Sequence, residues 1–163
     1  MKKNHIRIGL AVLISAVFYL WINFLFPLEE GRVRRFILEG KRSAESKNIL
    51  VCANMISQDY SDKYNNDRST LIYIAKEAFG YYEAIIIGID KMDIKLDESK
   101  NRATVEIVAM ALCQSKDNKS EKIFEGEKGR FRVKLIKEEG RWRLLEVELL
   151  ERMTIMGQAI DVV

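Results

Sequence analysis

The strongest pattern in the chain is an uninterrupted apolar run near its start. Residues 8–26, IGLAVLISAVFYLWINFLF, carry no charge, and only Gly9, Ser15 and Asn23 fall outside the apolar set. At a rise of about 1.5 Å per residue, a helix of this length spans roughly 30 Å of hydrocarbon. Tyr19, Trp21, Phe24 and Phe26 gather in its distal half, as an interfacial aromatic belt does. A cleaved signal peptide has a shorter apolar region, about 7 to 15 residues, ending in small side chains. This run ends instead in Phe24-Leu25-Phe26-Pro27-Leu28. The pattern predicts a transmembrane helix over 8–27 behind a tail over 1–7, then a domain over 28–151 and a tail over 152–163.

Beyond Pro27 the apolar positions recur at helical spacing. Val33, Phe36, Ile37 and Ala44 fall on one face of a helix predicted over 28–46. Asn48 is a good N-cap for a short apolar helix over 49–56, and Asp67 for a third helix over 68–82. On that third helix Leu71, Ala75, Ala78 and Tyr82 share a face, with Ile74 and Phe79 beside it, and the stretch Ser57–Asp67 between the two is turn-rich. From residue 83 the period drops to two. Ile85, Ile87 and Ile89 share one parity, while Met92, Ile94 and Leu96 take the other. A parity switch within one strand is what a β-bulge produces, and Gly88 marks its place. A turn over Asp97–Asn101, a strand over 102–113, a polar loop over 115–120 and a strand over 121–137 follow. Glu138-Glu139-Gly140 reads as a three-residue hairpin loop. That register opposes Lys137 to Arg141, Phe131 to Val147, Val133 to Leu145 and Leu135 to Arg143, and on the other side Arg130 to Glu148 and Arg132 to Glu146.

Helices first, then a bent antiparallel sheet ending in a hairpin with Gly-x-Trp, is an order that resembles the nuclear transport factor 2-like superfamily. The segments that carry the resemblance are Asp59-Tyr60-Ser61-Asp62, the helix Asp67–Tyr82, Arg102-Ala103-Thr104-Val105, and Gly140-Arg141-Trp142-Arg143-Leu144-Leu145. The resemblance covers about residues 30–150. It implies an α+β cone: two to three helices packed on a strongly curved antiparallel sheet of about four strands, with a pocket between them. The small hairpin that such folds often insert has scarcely any room at Tyr60–Asn66. Relatives use this pocket as enzymes, ligand binders and assembly modules, including an anchored inner-membrane component of type IV secretion systems, so the fold alone does not select a function.

Composition narrows the picture. A chain that is 48% hydrophobic and 31% charged is globular, which excludes wholesale disorder. The formal net charge is +3, from 27 basic and 24 acidic residues. Lys2, Lys3 and Arg7 precede the apolar run with no acidic neighbour, so the remainder balances at 24 of each sign. The domain therefore offers no net attraction for nucleic acid. Both flanks of the apolar run are basic, because Arg32, Arg34, Arg35, Lys41, Arg42 and Lys47 follow it. A short basic tail before a long domain favours an exported domain. On the cytoplasmic side, the membrane-proximal Arg32, Arg34 and Arg35 would instead meet anionic lipid.

The sequence is sparing with reactive chemistry. The single histidine, His5, precedes the apolar run, and Cys52 and Cys113 lie in apolar stretches without a histidine partner. No Gly-rich phosphate loop is present, and Asp59, Asp62 and Asp67 lack the spacing of a calcium loop. No metal or cofactor is expected. Tyr60, Tyr64, Tyr82, Met110 and Trp142 are the expected pocket residues. An isomerase-like or dehydratase-like enzyme would have to work with Tyr60, Asp62, Tyr64, Tyr82 or Asp90. The expected function is a single-pass, membrane-anchored, non-catalytic domain that binds a partner protein or small ligand. The alternatives are an anchored enzyme and an envelope assembly subunit, in which copies of the chain could associate.

Overall fold

Among the described residues three helices precede four strands, and two of the helices start where a side chain accepts from a first-turn amide. A computed structural model describes residues 29–116 and 124–153. The tail and transmembrane helix expected over 1–27, the middle of the polar loop and most of the C-terminal tail lie outside the described residues. Among the described residues no helix is long and apolar enough to cross a membrane. Helix α1 spans Glu29–Glu45, with Glu29 and Glu30 at its positive end and Arg42 at its negative end. Helix α2 spans Ile49–Met55, where the Asn48 side chain accepts from the Val51 amide at 3.2 Å. Helix α3 spans Arg68–Tyr81, where Asp67 accepts from the Thr70 amide at 2.8 Å. Both expected caps are in place.

The strands β1 (Tyr82–Leu96), β2 (Arg102–Ser115), β3 (Phe124–Glu138) and β4 (Arg141–Met153) form one antiparallel sheet in sequential order. The register slips between Ile89 and Lys91, so Asp90 is the extra residue of the expected bulge. Ile87 and Ile89 before it, and Met92, Ile94 and Leu96 after it, thus reach the same face. On β2 that inner face carries Ala103, Val105, Ile107 and Ala109, and on β3 Leu135, Val133 and Phe131. Helix α1 lies across it. Val33, Ala103, Val105, Ile107, Val133, Leu135 and Trp142 form the buried core, with Phe36 and Ile37 packed against them.

The last hairpin departs from its expected register. Glu138 pairs with Arg141, leaving a two-residue turn in which Glu139 (φ 49°) and Gly140 (φ 77°) both take the left-handed region. This is the turn geometry that matches the twist of the flanking strands. A second slip between Lys134 and Leu135 shifts the partners further, so Val133 faces Val147 and Phe131 faces Leu149. From Phe131 to Lys134 the displacement is two residues, which keeps Val147 inward and Glu146 and Glu148 outward; next to the turn it is one, so Trp142 and Leu144 face inward where Arg143 and Leu145 were expected. The cross-strand charge pairing survives with new partners: Arg132 meets Glu148 at 3.4 Å and Glu106 at 3.2 Å, and Lys134 meets Glu146 at 2.8 Å. The outer face is thus an alternating charge lattice.

The narrow end of the cone is fastened where α1 begins. Glu29 bonds Lys137 at 2.9 Å and Arg32 at 3.1 Å, and the Lys137 ammonium sits 5.8 Å from the centre of the Trp142 ring. Burial alone would raise the Glu29 pKa, but the hydrogen bond and charge of Lys137, with Arg32, outweigh it and hold the carboxyl below its ordinary value of 4.5. The Trp142 Nε1 atom and Glu29 Oε2 are buried there without hydrogen bonds of normal geometry.

Leu135 is fully buried, so Leu135→Ala is expected to cost about 2–5 kcal/mol in chemical unfolding of the full chain. Ile74→Ala, on the exposed face of α3, is expected to change it by about 0.5 kcal/mol or less. Lys137→Met removes the partner that depresses Glu29 and is expected to cost about 1–2 kcal/mol at neutral pH. A carboxyl with a depressed folded-state pKa stabilises above its unfolded value and loses that contribution as pH falls through its folded value. The stability gap between wild type and Lys137→Met should therefore narrow as pH drops below 4.5. A gap that stays constant down to acid would contradict the Glu29–Lys137 account.

Candidate functional site

Away from the filled end, the cone changes because its inward side chains become small. Ala109 on β2 lies opposite Gly129 on β3. Gly40 and Ala44 on α1 and Ala75 on α3 face the same space. Gly40 also lets two helices approach: a Cβ there would stand 3.4 Å from the Met55 methyl of α2. The result is an open cavity of about 450 Å³ between the helices and the inner face of the sheet, within the range of small-ligand sites. Phe36 and Ile37 floor it from α1, Leu71 and Phe79 from α3, and Ile87, Ile107 and Phe131 from the sheet.

One side of the cavity is fixed by a polar clamp. Among the described residues Lys41 is the only charged one in the lining, and its ammonium bonds both Glu45 oxygens at 2.8 Å. Glu45 in turn accepts from the Ile87 backbone amide at 2.8 Å, which ties the end of α1 to the edge of β1. Burial raises the Glu45 pKa, but the Lys41 and Ile87 hydrogen bonds and the Lys41 charge outweigh it, so the carboxyl lies below its ordinary value. Cys52 is the other lining residue with a reactive atom. Burial pushes its thiol pKa up, which keeps it protonated and a poor nucleophile.

Helix α3 covers the cavity without burying any residue completely. It is held at its ends. Arg68 donates to the Ala53 and Ile56 carbonyls at 3.0 and 3.3 Å, and Lys116 reaches the Gly80 carbonyl at the other end. Tyr73, Ile74 and Tyr81 of this segment are exposed.

The aromatic residues expected in the cavity stand elsewhere. Trp142 packs into the filled end against α1, 6% exposed. Tyr60 is 3% exposed, in the segment that runs beside β4, where the Ser57 and Ser61 amides donate to the Leu144 and Leu145 carbonyls. Its hydroxyl donates to Asp62 at 3.1 Å, and burial together with the Asp62 charge pushes its pKa far up. Tyr64 is exposed at the tip of the same turn, below a Lys63 ammonium 5.4 Å away. Tyr82, the first residue of β1, follows the end of α3 and packs edge-on against Tyr81 at 5.0 Å. Met110 points to the outer face, where its methyl lies over Gly88. None of the five lines the cavity. The physical reason is parity and size: Met110 has the outward parity of β2, and the bulky aromatics fill the narrow end or seal an edge rather than leave space.

The aspartates have local duties. Asp62 accepts from the amides of Tyr64 and Asn66 and from the Asn66 side chain, and these bonds, led by the last, hold its pKa down. A single antiparallel bridge, Ser61 to Asp67, closes this turn where larger folds of the type insert a hairpin. Asp90 meets Lys128 at 2.6 Å beside the bulge. Arg34 and Arg35 lie on the exposed side of α1, while Arg32 is drawn to Glu29. Among the described residues no group of three or more His, Cys, Asp or Glu could hold a metal ion. The residues that the sequence reading missed are the small ones. Gly40, Ala44, Ala75 and Ala109 at inward positions, set against Val and Leu at the other end, were the available sign of a cavity.

No family model and no curated protein matches the chain. Solved structures do. A candidate scytalone dehydratase from Novosphingobium aromaticivorans superposes with a TM-score of 0.65 at 14% identity, covering 83% of this chain and 95% of that one. A nuclear transport factor 2-like superfamily protein from Salmonella enterica serovar Typhimurium gives 0.64 at 13% identity, over 82% and 97% of the two chains. The Kfla4162 protein from Kribbella flavida gives 0.65 at 13% identity, over 76% and 90%. Identities this low speak to the fold alone. With three helices on a curved four-stranded antiparallel sheet, the described domain of this chain has the nuclear transport factor 2-like fold.

Proposed function

We propose that this chain is a single-pass, membrane-anchored domain that binds a small apolar ligand in its cone without catalysis. The anchor is the transmembrane helix expected over 8–27, and the proposed orientation exports the domain. The observation that carries the binding reading is the chemistry of the cavity wall. Apart from Lys41 and the Cys52 thiol, every lining side chain is hydrocarbon or thioether or is a glycine. Such a wall supplies hydrophobic burial worth about 25 cal/mol per Å² of apolar surface, and few directional contacts.

An enzyme reading asks for an acid or base at the reacting atoms. The candidate on this chain is the Tyr60–Asp62 pair. It belongs to a surface turn outside the cavity, its phenol is held protonated, and its carboxylate is occupied by the turn's own amides. Lys41 is held in its pair with Glu45. The lining thus supports binding over the acid–base chemistry that a dehydratase needs.

The Met55 methyl in the cavity wall is a direct reporter. With the full chain in lipid nanodiscs and methyl-labelled methionine, titration with naphthalene is expected to shift the Met55 resonance saturably. Ala75→Trp, on a helix with no buried residue, fills the cavity at small cost to folding and should abolish the shift. A Met55 resonance that does not respond, or that responds equally in Ala75→Trp, would overturn the binding reading.

A further inference from the structure

The cavity also restricts what part of a ligand can enter it. A polar group taken inside would need a partner, and a buried donor or acceptor left unsatisfied costs about 1–3 kcal/mol. The strand amides and carbonyls behind the wall are engaged in the sheet ladders of β1 to β4. The Lys41 ammonium is engaged by both oxygens of Glu45, and Glu45 is engaged by Ile87. The wall therefore accepts hydrocarbon and rejects polar groups, and any head group has to remain at the open side. Lys41 and Glu45, each about one-quarter exposed, mark a place where the wall meets solvent.

The ligand's source follows from where the cavity lies along the chain. Only Pro27 and Leu28 separate the apolar run from the start of α1 at Glu29. The first cavity residue on α1, Phe36, is about 10 Å along the helix from Glu29, and Ala44 is about 22 Å along it. An anchored domain would thus hold its hydrocarbon-lined cavity within a few tens of ångströms of a bilayer, where acyl chains are the abundant hydrocarbon. Resting on the apolar-ligand reading above, we propose that the cavity takes one acyl chain of a lipid from the bilayer that anchors the protein, with the lipid's head group left outside.

Photocrosslinking tests this on the full chain. Nanodiscs are prepared from phosphatidylcholine doped with a phosphatidylcholine that carries a diazirine near the end of one acyl chain. After irradiation, label is expected in peptides that contain Phe36–Ala44, Cys52–Ile56 and Ile107–Ala109, in addition to the 8–27 segment. In Ala75→Trp, labelling of those three peptides should fall about tenfold or more while labelling of 8–27 stays. Label confined to 8–27, with a Met55 methyl that still answers to naphthalene, would overturn the acyl-chain proposal and leave the cavity a site for a different apolar ligand. Cavity label obtained from a soluble diazirine fatty acid but not from the bilayer lipid would overturn the proposed source. Cavity label that persists in Ala75→Trp would also count against it, because the chain would then be touching the outside of the domain.

Discussion

The structure depends on one extra residue in β1. Asp90 shifts the strand's parity so that Ile87 and Ile89 on one side, and Met92, Ile94 and Leu96 on the other, all point inward. In a regular strand of the same sequence, one of these two sets would face water, because side chains alternate strictly along the pleat. A bulge also bends the strand and increases its twist. The same feature therefore provides the apolar continuity of the inner face and the curvature that turns a flat sheet into a cone. Without curvature, α1 would lie flush on the sheet and no space would remain between them.

What fills or spares that space is set by side-chain volume. At the narrow end Leu135, Val105 and Val33 are fully buried and Trp142 nearly so. Toward the wide end the inward positions become Ala109, Gly40, Ala44 and Ala75, and the helices are held to the sheet by hydrogen bonds at the edges as well as by core contacts. Glu45 clamps α1 to β1, the segment after α2 is stitched to β4 by Ser57 and Ser61, and α3 is pinned at both ends. These bonds also cover parts of both sheet edges, which would otherwise present unpaired amides. Stability is thus concentrated at one end, and the cavity end is scaffolded by polar contacts on its rim. That division is what allows a half-covered apolar volume to persist.

Much of this was legible in the sequence, and the remainder was not for identifiable reasons. The two N-caps, the three helices and the parity switch in β1 are local signals, and each sits within a residue or two of its expected place. The last hairpin was displaced because Glu139 adopts a left-handed conformation beside Gly140, making a two-residue turn where Gly alone suggested a three-residue loop. Beyond the second slip Glu146–Leu149 keep their expected faces, while next to the turn the faces exchange, so that Trp142 and Leu144 point inward. The site was harder. Large aromatics were expected to line it, yet a cavity is made by what is small, and Tyr60 and Trp142 serve packing and edge closure. The difference between an alanine that spares volume and one that merely packs closely depends on how far the facing helix stands from the sheet, which no local pattern encodes.

The central claim is that the small inward residues create a site for a hydrocarbon ligand, not a packing defect. The most direct measurement is mass spectrometry of small molecules that remain with the full chain after extraction from native membranes in polymer-bounded discs and transfer to discs of a single defined lipid. The account predicts an apolar or acyl-bearing compound retained by the wild-type chain in near-stoichiometric amount and absent from Ala75→Trp handled identically. Equal retention by both chains, or by neither, would contradict it.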